Sequence, residues 1–328
     1  MEVFVTGGGG LLGHHVIQEL LDRGDRIRAL ALPGEDVSWF EARGVAVHTG
    51  DVCDAASLTA PMAGAEAVLN LAGMMGVWRP LADYVAVNVT GAENVCRAAL
   101  AHHLRRVVHI SSWTVYGMNQ PDPCREDREL TPFPEPYAVS KAEGDRRVRQ
   151  MIAEEGLPAA IVRPGTFFGS GDRLHFGRIA DRLRAGRSIV IGRGDNALPF
   201  VHVSDVAQGV LLALDHEHAV GEAFNISTDA PLTQQELLSA IAEEIGVEPP
   251  RVHVPRRALY AAGYAAERVS TIARSRRQPP LTRIGVMLFG NSNRHAVDKA
   301  RRELGFVPGM SPRDGVREAA SWYLTAVG

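Results

Sequence analysis

Tyr137 and Lys141 stand four residues apart in the stretch Tyr137-Ala138-Val139-Ser140-Lys141, directly after Pro134-Glu135-Pro136. The stretch opens a helical pattern, and the i, i+4 spacing puts phenol and ammonium on one helix face. An ammonium near a phenol favours phenolate and draws a pKa of ~10 toward working pH. Such a phenol can give or take a proton at a carbonyl or an alcohol. Composition adds weight to the pair. Of 35 basic residues only Lys141 and Lys299 are lysines, the rest being arginine. Any of those arginines could serve as a surface cation. A compact ammonium tuned to a phenol is poorly replaced by a broad, planar guanidinium.

A second candidate is the run Thr6-Gly7-Gly8-Gly9-Gly10-Leu11-Leu12-Gly13. Gly8, Gly10 and Gly13 match G-x-G-x-x-G, and Gly7, Gly10 and Gly13 match G-x-x-G-x-x-G. Between a strand and a helix, glycines permit a tight turn and close backbone approach to a pyrophosphate, and the helix's first amides offer donors. The expected ligand is a dinucleotide. An acid at the end of the second strand would bind a ribose 2′-hydroxyl, and a basic residue a 2′-phosphate. Ala31 and Leu32 occupy those places. Ala31 removes repulsion toward a phosphate, and Arg28, His14 or Arg43 could supply the cation, so NAD(P)(H) is expected with a lean to NADP. Asp51, in Gly50-Asp51-Val52, is placed at a strand end either to take the adenine amino group or to shape a turn. The pairs His14–His15 and His102–His103, and His216 with His218, lack a metal-ligand arrangement, so no metal is expected.

These groups need a frame to hold them. Strands are predicted over Val3–Val5, Ile27–Leu32, Val45–His48, Ala67–Leu71, Arg106–Ser111 and Ala159–Arg163. Helices are predicted over Leu11–Arg23, Tyr84–His103 and Tyr137–Glu155. Strands separated by helices imply right-handed crossovers and a parallel sheet covered on both faces. The expected fold is therefore α/β, a Rossmann-type doubly wound parallel sheet with a smaller, mostly C-terminal α/β substrate lobe. Residues 1–164 are assigned to the dinucleotide-binding domain and 165–328 mainly to the substrate lobe, with segments around 198–215 returning to the first domain. The lobe carries predicted helices over Gly177–Ala185, Thr233–Ile245 and Arg257–Arg274.

Bulk properties exclude other classes. With 328 residues, 45% hydrophobic, 22% charged and a net charge of -3, the chain has the composition of a folded globular protein with no drive toward nucleic acid. Cys53, Cys96 and Cys124 are odd in number and form no CxxC, which fits a reducing cytoplasm. No transmembrane stretch is expected.

Several further motifs act together with these. Thr6–Gly13, Asn70-Leu71-Ala72-Gly73, Asn88 in VNVTGAENV, HISSWTVYG (His109–Gly117), Tyr137–Lys141 and VRPGTFFGSGD (Val162–Asp172) resemble the extended short-chain dehydrogenase/reductases, of the NAD(P)-dependent epimerase/dehydratase superfamily. The tail PPLTRIGVMLFGNSNRHAVDKARRELGFVP (Pro279–Pro308) resembles the 3β-hydroxysteroid dehydrogenase-like subgroup, and Lys299 within it reads as structural. The resemblance implies that Ser112 hydrogen-bonds the reacting oxygen beside Tyr137, with Ser111 the competing serine. Lys141 would bind the nicotinamide ribose and lower the Tyr137 pKa, and Asn88 would support Lys141 through water. Cofactor contacts would come from Thr6, Gly7, Gly10, Leu11, Leu12 and Gly13, then Asp51, Val52, Leu71, Ala72 and Gly73, and finally Tyr137, Lys141 and Pro164. A homodimer would form through the helices Tyr84–His103 and Tyr137–Glu155.

Two branches of that superfamily compete. Sugar-nucleotide members usually carry an arginine that clasps the diphosphate where this chain has Leu198, and Leu198 cannot bond a phosphate. Met74, Met75, Val77, Trp78, Trp113, Phe167 and Phe168 follow strand ends and suggest an apolar substrate, with Met74, Trp78, Trp113 and Phe167 as its contacts. The expected activity is NAD(P)(H)-dependent interconversion of a secondary alcohol and a ketone through Ser112, Tyr137 and Lys141. The alternatives are a nucleotide-sugar epimerase or dehydratase and a non-catalytic dinucleotide sensor. Arg251–Arg283 holds eight arginines against one acid, Glu267, and could meet a membrane surface or an acidic carrier, or remain a solvated helix face.

Overall fold

The computed structural model describes residues 1–327 apart from 77, 274 and 276. β1 (Glu2–Thr6), β2 (Arg26–Ala31), β3 (Ala46–Thr49), β4 (Ala67–Asn70), β5 (Arg106–Ile110), β6 (Ala159–Pro164) and β7 (Ala223–Ile226) form one seven-stranded sheet in the order β7-β6-β5-β4-β1-β2-β3. Every pairing in it is parallel. Side chains alternate across the sheet as a period of two requires. Val3 and Val5 enter one core with Val16, Leu20, Val206 and Val210, while Phe4 enters the other with Val68, Val95, Val148 and Met151.

The first core lies under α1 (Leu11–Asp22), and the second under a helical segment running from Leu81 to Ala101. The sequence predicts one regular helix there, over Tyr84–His103. The structure instead has a helical turn at Leu81–Val85, a π segment at Ala86–Gly91 and then α2 (Ala92–Ala101). Wider turns of this kind cluster at functional positions, and this one holds Asn88. The next helix, α3 (Pro136–Glu155), packs on it so closely that a Cβ at Gly144 would stand 2.2 Å from the Asn88 carbonyl oxygen.

α3 is tied to the sheet by a buried bidentate ion pair. Arg163 Nε and Nη2 each lie 2.8 Å from a carboxylate oxygen of Asp145, and both side chains are 0% exposed. Arg163 Nη1 also donates to the Tyr116 hydroxyl and the Glu126 carbonyl, so the guanidinium is well satisfied.

Beyond Pro164 the chain returns to the first unit more than the segment 198–215 suggests. α4 (Val203–Asp215) joins the core shared with α1, and β7 completes the sheet edge. A third core, with Phe176, Leu198, Phe200, Leu237, Ile241 and Val316, fills the remaining lobe. There α5 (Arg256–Ile272) and α6 (Arg283–Gly290) follow one another, and α7 (Pro312–Val327) ends the described chain. The expected helix end at Arg274 lies outside the described residues. Lys299 bonds Glu222 and the Ala223 carbonyl at β7 and lines no part of the cleft described below.

Candidate active site

Strand order reverses between β1 and β4, which opens a crevice at their carboxyl ends. Gly7 turns there with φ +69, and a Cβ on it would meet Ala72 N at 2.6 Å. A Cβ at Gly13 would stand 2.4 Å from the Gly8 carbonyl oxygen. α1 then starts after Gly10 with no side-chain cap and no acid in its first turn. Its first amides are thus available to an anion, and Gly10, Leu11, Leu12 and Gly13 line the cleft. This donor set fits a pyrophosphate.

Thr6 works differently from the expected cofactor contact. Its hydroxyl donates to Asn70 Oδ1 at 2.8 Å and accepts from Ala72 N at 3.3 Å, so it joins the two loops. The ladder continues from Asn70 Nδ2 to His109 Nδ1 at 3.1 Å. Burial drives the His109 pKa to about 3, so the ring is neutral and, accepting at Nδ1, carries its proton on Nε2. Leu71 and Gly73 line the cleft, as does Pro164.

The cleft has a volume of about 570 Å³. Ser112, Tyr137 and Lys141 lie together on its wall. Glu135 caps α3, its carboxylate accepting from Tyr137 N and Ala138 N at 3.1 and 3.2 Å, which sets where the phenol emerges. Ser112 begins the short turn Trp113–Tyr116, and its oxygen accepts from Thr114 N and Oγ1. Ser112 is the serine that draws the Tyr137 pKa down, whereas Ser111, whose Oγ is buried with no hydrogen-bond partner among the described residues, lowers Asp145 instead.

The titration of the phenol departs from expectation. Burial pushes Tyr137 up to about 12, and the group that pulls it down is Ser112 rather than Lys141. The reason is visible in the lysine, whose Nζ donates to the Ile110 carbonyl at the end of β5, at 2.5 Å. Burial lowers Lys141 to about 8, with Asp145 opposing. Asn88 has direct partners of its own. Its Oδ1 accepts from Met74 N at 2.8 Å, and its Nδ2 donates to the Met74 carbonyl and to Ser140 Oγ. It therefore clamps the strand-end loop to α3, and its direct partners do not include Lys141.

Among the apolar candidates Trp78, Trp113 and Phe167 line the cleft. Met75 lines it in place of Met74, whose backbone Asn88 holds. Phe168 is buried in the third core, and Val77 lies outside the described residues. Asp51 and Val52 do not reach this cleft. Asp51 Oδ1 accepts from Cys53 N at 2.9 Å, and Val52 is buried where a Cβ on Gly91 would touch it.

Of the proposed 2′-phosphate cations only Arg28 is paired with an acid among the described residues. Arg28 pairs with Glu2 and donates to the carbonyls of Pro61 and Ala63. His14 stacks on Trp39 with 4.2 Å between ring centroids, and Arg43 also lies 4.2 Å from the Trp39 centroid and donates to Gln18. Glu35 was missed because it lies beyond the strand end. Its Oε2 accepts from Leu32 N at 2.8 Å, and its Oε1 abuts Gly9 so closely that a Cβ there would collide with it. The lobe also adds Arg178, Glu267, Gln278, Thr282 and Leu288 to the cleft wall. No motif spacing pointed to them.

Known proteins match along the whole chain. The model of the NAD dependent epimerase/dehydratase family matches residues 3–227. A 2-alkyl-3-oxoalkanoate reductase of Stenotrophomonas maltophilia is 30% identical over 97% of this chain and 98% of its own. A 4-hydroxy-2-methyl-3-oxo-4-farnesyl-3,4-dihydroquinoline-1-oxide ketoreductase of Stigmatella aurantiaca is 28% identical over 96% of this chain and 95% of its own. The dTDP-glucose 4,6-dehydratase of Streptomyces venezuelae, solved with NAD bound, superposes with a TM-score of 0.78 at 25% identity, covering 99% of this chain and 97% of that one.

Proposed function

The chain belongs to the NAD dependent epimerase/dehydratase family, and we propose that within it the protein interconverts a secondary alcohol and a ketone on a fairly apolar small molecule. One observation carries this reading. The Ser112 and Tyr137 hydroxyls stand on the wall of a cleft that also takes in the bare start of α1, Trp78, Trp113 and Phe167. The two reductase relatives support it, since both act on oxo compounds by name. Leu198 favours it over the sugar-nucleotide alternative, being 0% exposed in the third core with no polar group to offer a diphosphate.

A dinucleotide, when bound, supplies or accepts the hydride at the carbinol carbon. The amides of Leu11, Leu12 and Gly13 would hold its pyrophosphate. In reduction Tyr137 gives its phenolic proton to the substrate oxygen, and in oxidation it takes that proton back. Ser112 donates a hydrogen bond to the same oxygen, and Lys141 keeps a positive charge one helical turn from the phenol. Purified protein should oxidise NADH in the presence of hydrophobic 3-oxo acids or ketones. Inertness across such a panel, together with saturable micromolar binding of UDP- or dTDP-sugars, would replace this reading with the epimerase one.

Glu35 shifts the cofactor preference from NADP to NAD. A 2′-phosphate is bound at the end of the second strand in this fold, where Glu35 brings a carboxylate against Gly9. Like charges at such range cost about 2 kcal/mol, or roughly thirtyfold in affinity. Calorimetric titration should find NADH tighter than NADPH by about that factor, and Glu35→Gln should narrow the gap. Equal affinities in the unaltered protein would sink the assignment.

Lys141 sets a pH limb. Because burial lowers it to about 8, its charge is complete below that pH and is lost as pH rises through it. kcat/KM for reduction should therefore hold steady below about pH 8 and fall about tenfold per pH unit above it. A profile flat to about pH 9 would remove the lysine from the reaction.

A further inference from the structure

α5 is a 17-residue helix of which Gly263 alone is buried among its described residues. Its apolar residues Ala258, Ala261, Ala262, Ala265, Val269 and Ile272 recur at helical spacing along one face, and all six are exposed. Val269 is 66% and Ile272 79% exposed. Other helices of this protein turn such stripes inward, as α1 does with Leu12, Val16 and Leu20. Val252, just before α5, adds a further exposed apolar side chain.

Cations flank this stripe. Arg257, Arg268 and Arg277 are exposed and have no acidic partner among the described residues. The sole acid of the segment, Glu267, is taken by Arg283, accepting from its backbone N and its Nε. Glu267, Thr282, Gly285 and Leu288 meanwhile line the cleft. The hairpin of α5 and α6 is thus a wall of the cleft, with an exposed apolar and cationic face.

We propose that this face docks on an anionic membrane surface. A second copy of the chain is a poor occupant, because facing hairpins would bring unpaired arginines against one another. A bilayer interface takes an apolar helical stripe at acyl depth while the flanking arginines meet lipid phosphates. The delivery of an apolar substrate from bilayer to cleft rests on the oxidoreductase reading, whereas the binding does not.

The test is sedimentation of the full chain, without substrate, with vesicles of phosphatidylcholine or of phosphatidylcholine containing one-third phosphatidylglycerol. The protein should pellet with the anionic vesicles, remain in solution with the neutral ones, and be released by salt. Each exposed arginine near an anionic surface strengthens binding about fivefold, so Arg257→Ala with Arg268→Ala should weaken partitioning about thirtyfold. Val269→Asp with Ile272→Asp should weaken it at least as much, with the melting temperature and dinucleotide affinity unchanged. Failure of the unaltered protein to pellet, or equal pelleting by the aspartate variant, would overturn the proposal. So would a dimer, measured by light scattering, that the same variant dissociates, since the face would then belong to a second copy. No arm reads turnover, so failure here leaves the proposed reaction standing.

Discussion

Tyr137→Phe should lower turnover about a thousandfold or more while leaving the dinucleotide dissociation constant within about twofold. The substitution keeps the ring and removes only the hydroxyl, so the capped start of α3 and the packing of the cleft wall survive. What disappears is the proton donor, the phenol whose pKa Ser112 draws down. Burial holds that phenol near 12, so at neutral pH it carries its proton and is ready to give it during reduction. Ser112→Ala should cost less, about a hundredfold, because it removes a hydrogen bond to the developing alkoxide and leaves the proton in place. Single-turnover oxidation of NADH under saturating ketone measures both. Turnover by Tyr137→Phe within about tenfold of the unaltered protein would defeat the assignment.

Asp145→Ala should destabilise the fold by about 3–5 kcal/mol, because it strands the Arg163 guanidinium in the interior. Both side chains of the pair are 0% exposed, so water cannot reach in to screen the orphaned charge. Against a total stability of about 5–15 kcal/mol this is a large share. The midpoint of thermal unfolding should fall by roughly 10 °C. Asp145→Leu combined with Arg163→Met removes both charges and should recover much of the loss. Asp145 also sits one turn beyond Lys141 and raises its pKa, so Asp145→Asn should move the alkaline limb of kcat/KM to lower pH. Unchanged melting in Asp145→Ala would show that the pair is not an anchor for α3.

Much of the site was legible in the chain because its signals are local. The glycine spacing in Thr6–Gly13, the four-residue step from Tyr137 to Lys141 and the alternation of Val3, Phe4 and Val5 each lie within one turn or one strand. Steric freedom and helical or strand period act at that range. The sheet and the helices that present these residues therefore emerge close to their predicted bounds. The apolar character of the cleft could also be foreseen, since Trp78, Trp113 and Phe167 follow strand ends.

Contacts between distant segments were a different matter. Glu35 meets Gly9 only because the loop after β2 folds back over the glycine turn. A reading confined to Ala31 and Leu32 consequently took no account of this carboxylate beside the glycine turn. Lys141 was expected to act on the phenol, yet its nearest acceptor is the Ile110 carbonyl, 31 residues away in the chain. Asn88 clamps Met74 and Ser140 because a π segment opens the helix at its position, and no spacing rule announces that extra residue. The basic amphipathic pattern of Arg251–Arg283 left open whether its helix meets a membrane, a carrier or solvent, and only packing shows that the apolar stripe of α5 faces outward. By itself, then, the sequence determined which residue types could do chemistry and the local elements that carry them, since those depend on short-range sterics and periodicity. Only the tertiary structure decided which carbonyls, carboxylates and faces they meet, because those partners lie tens to hundreds of residues away and are set by packing.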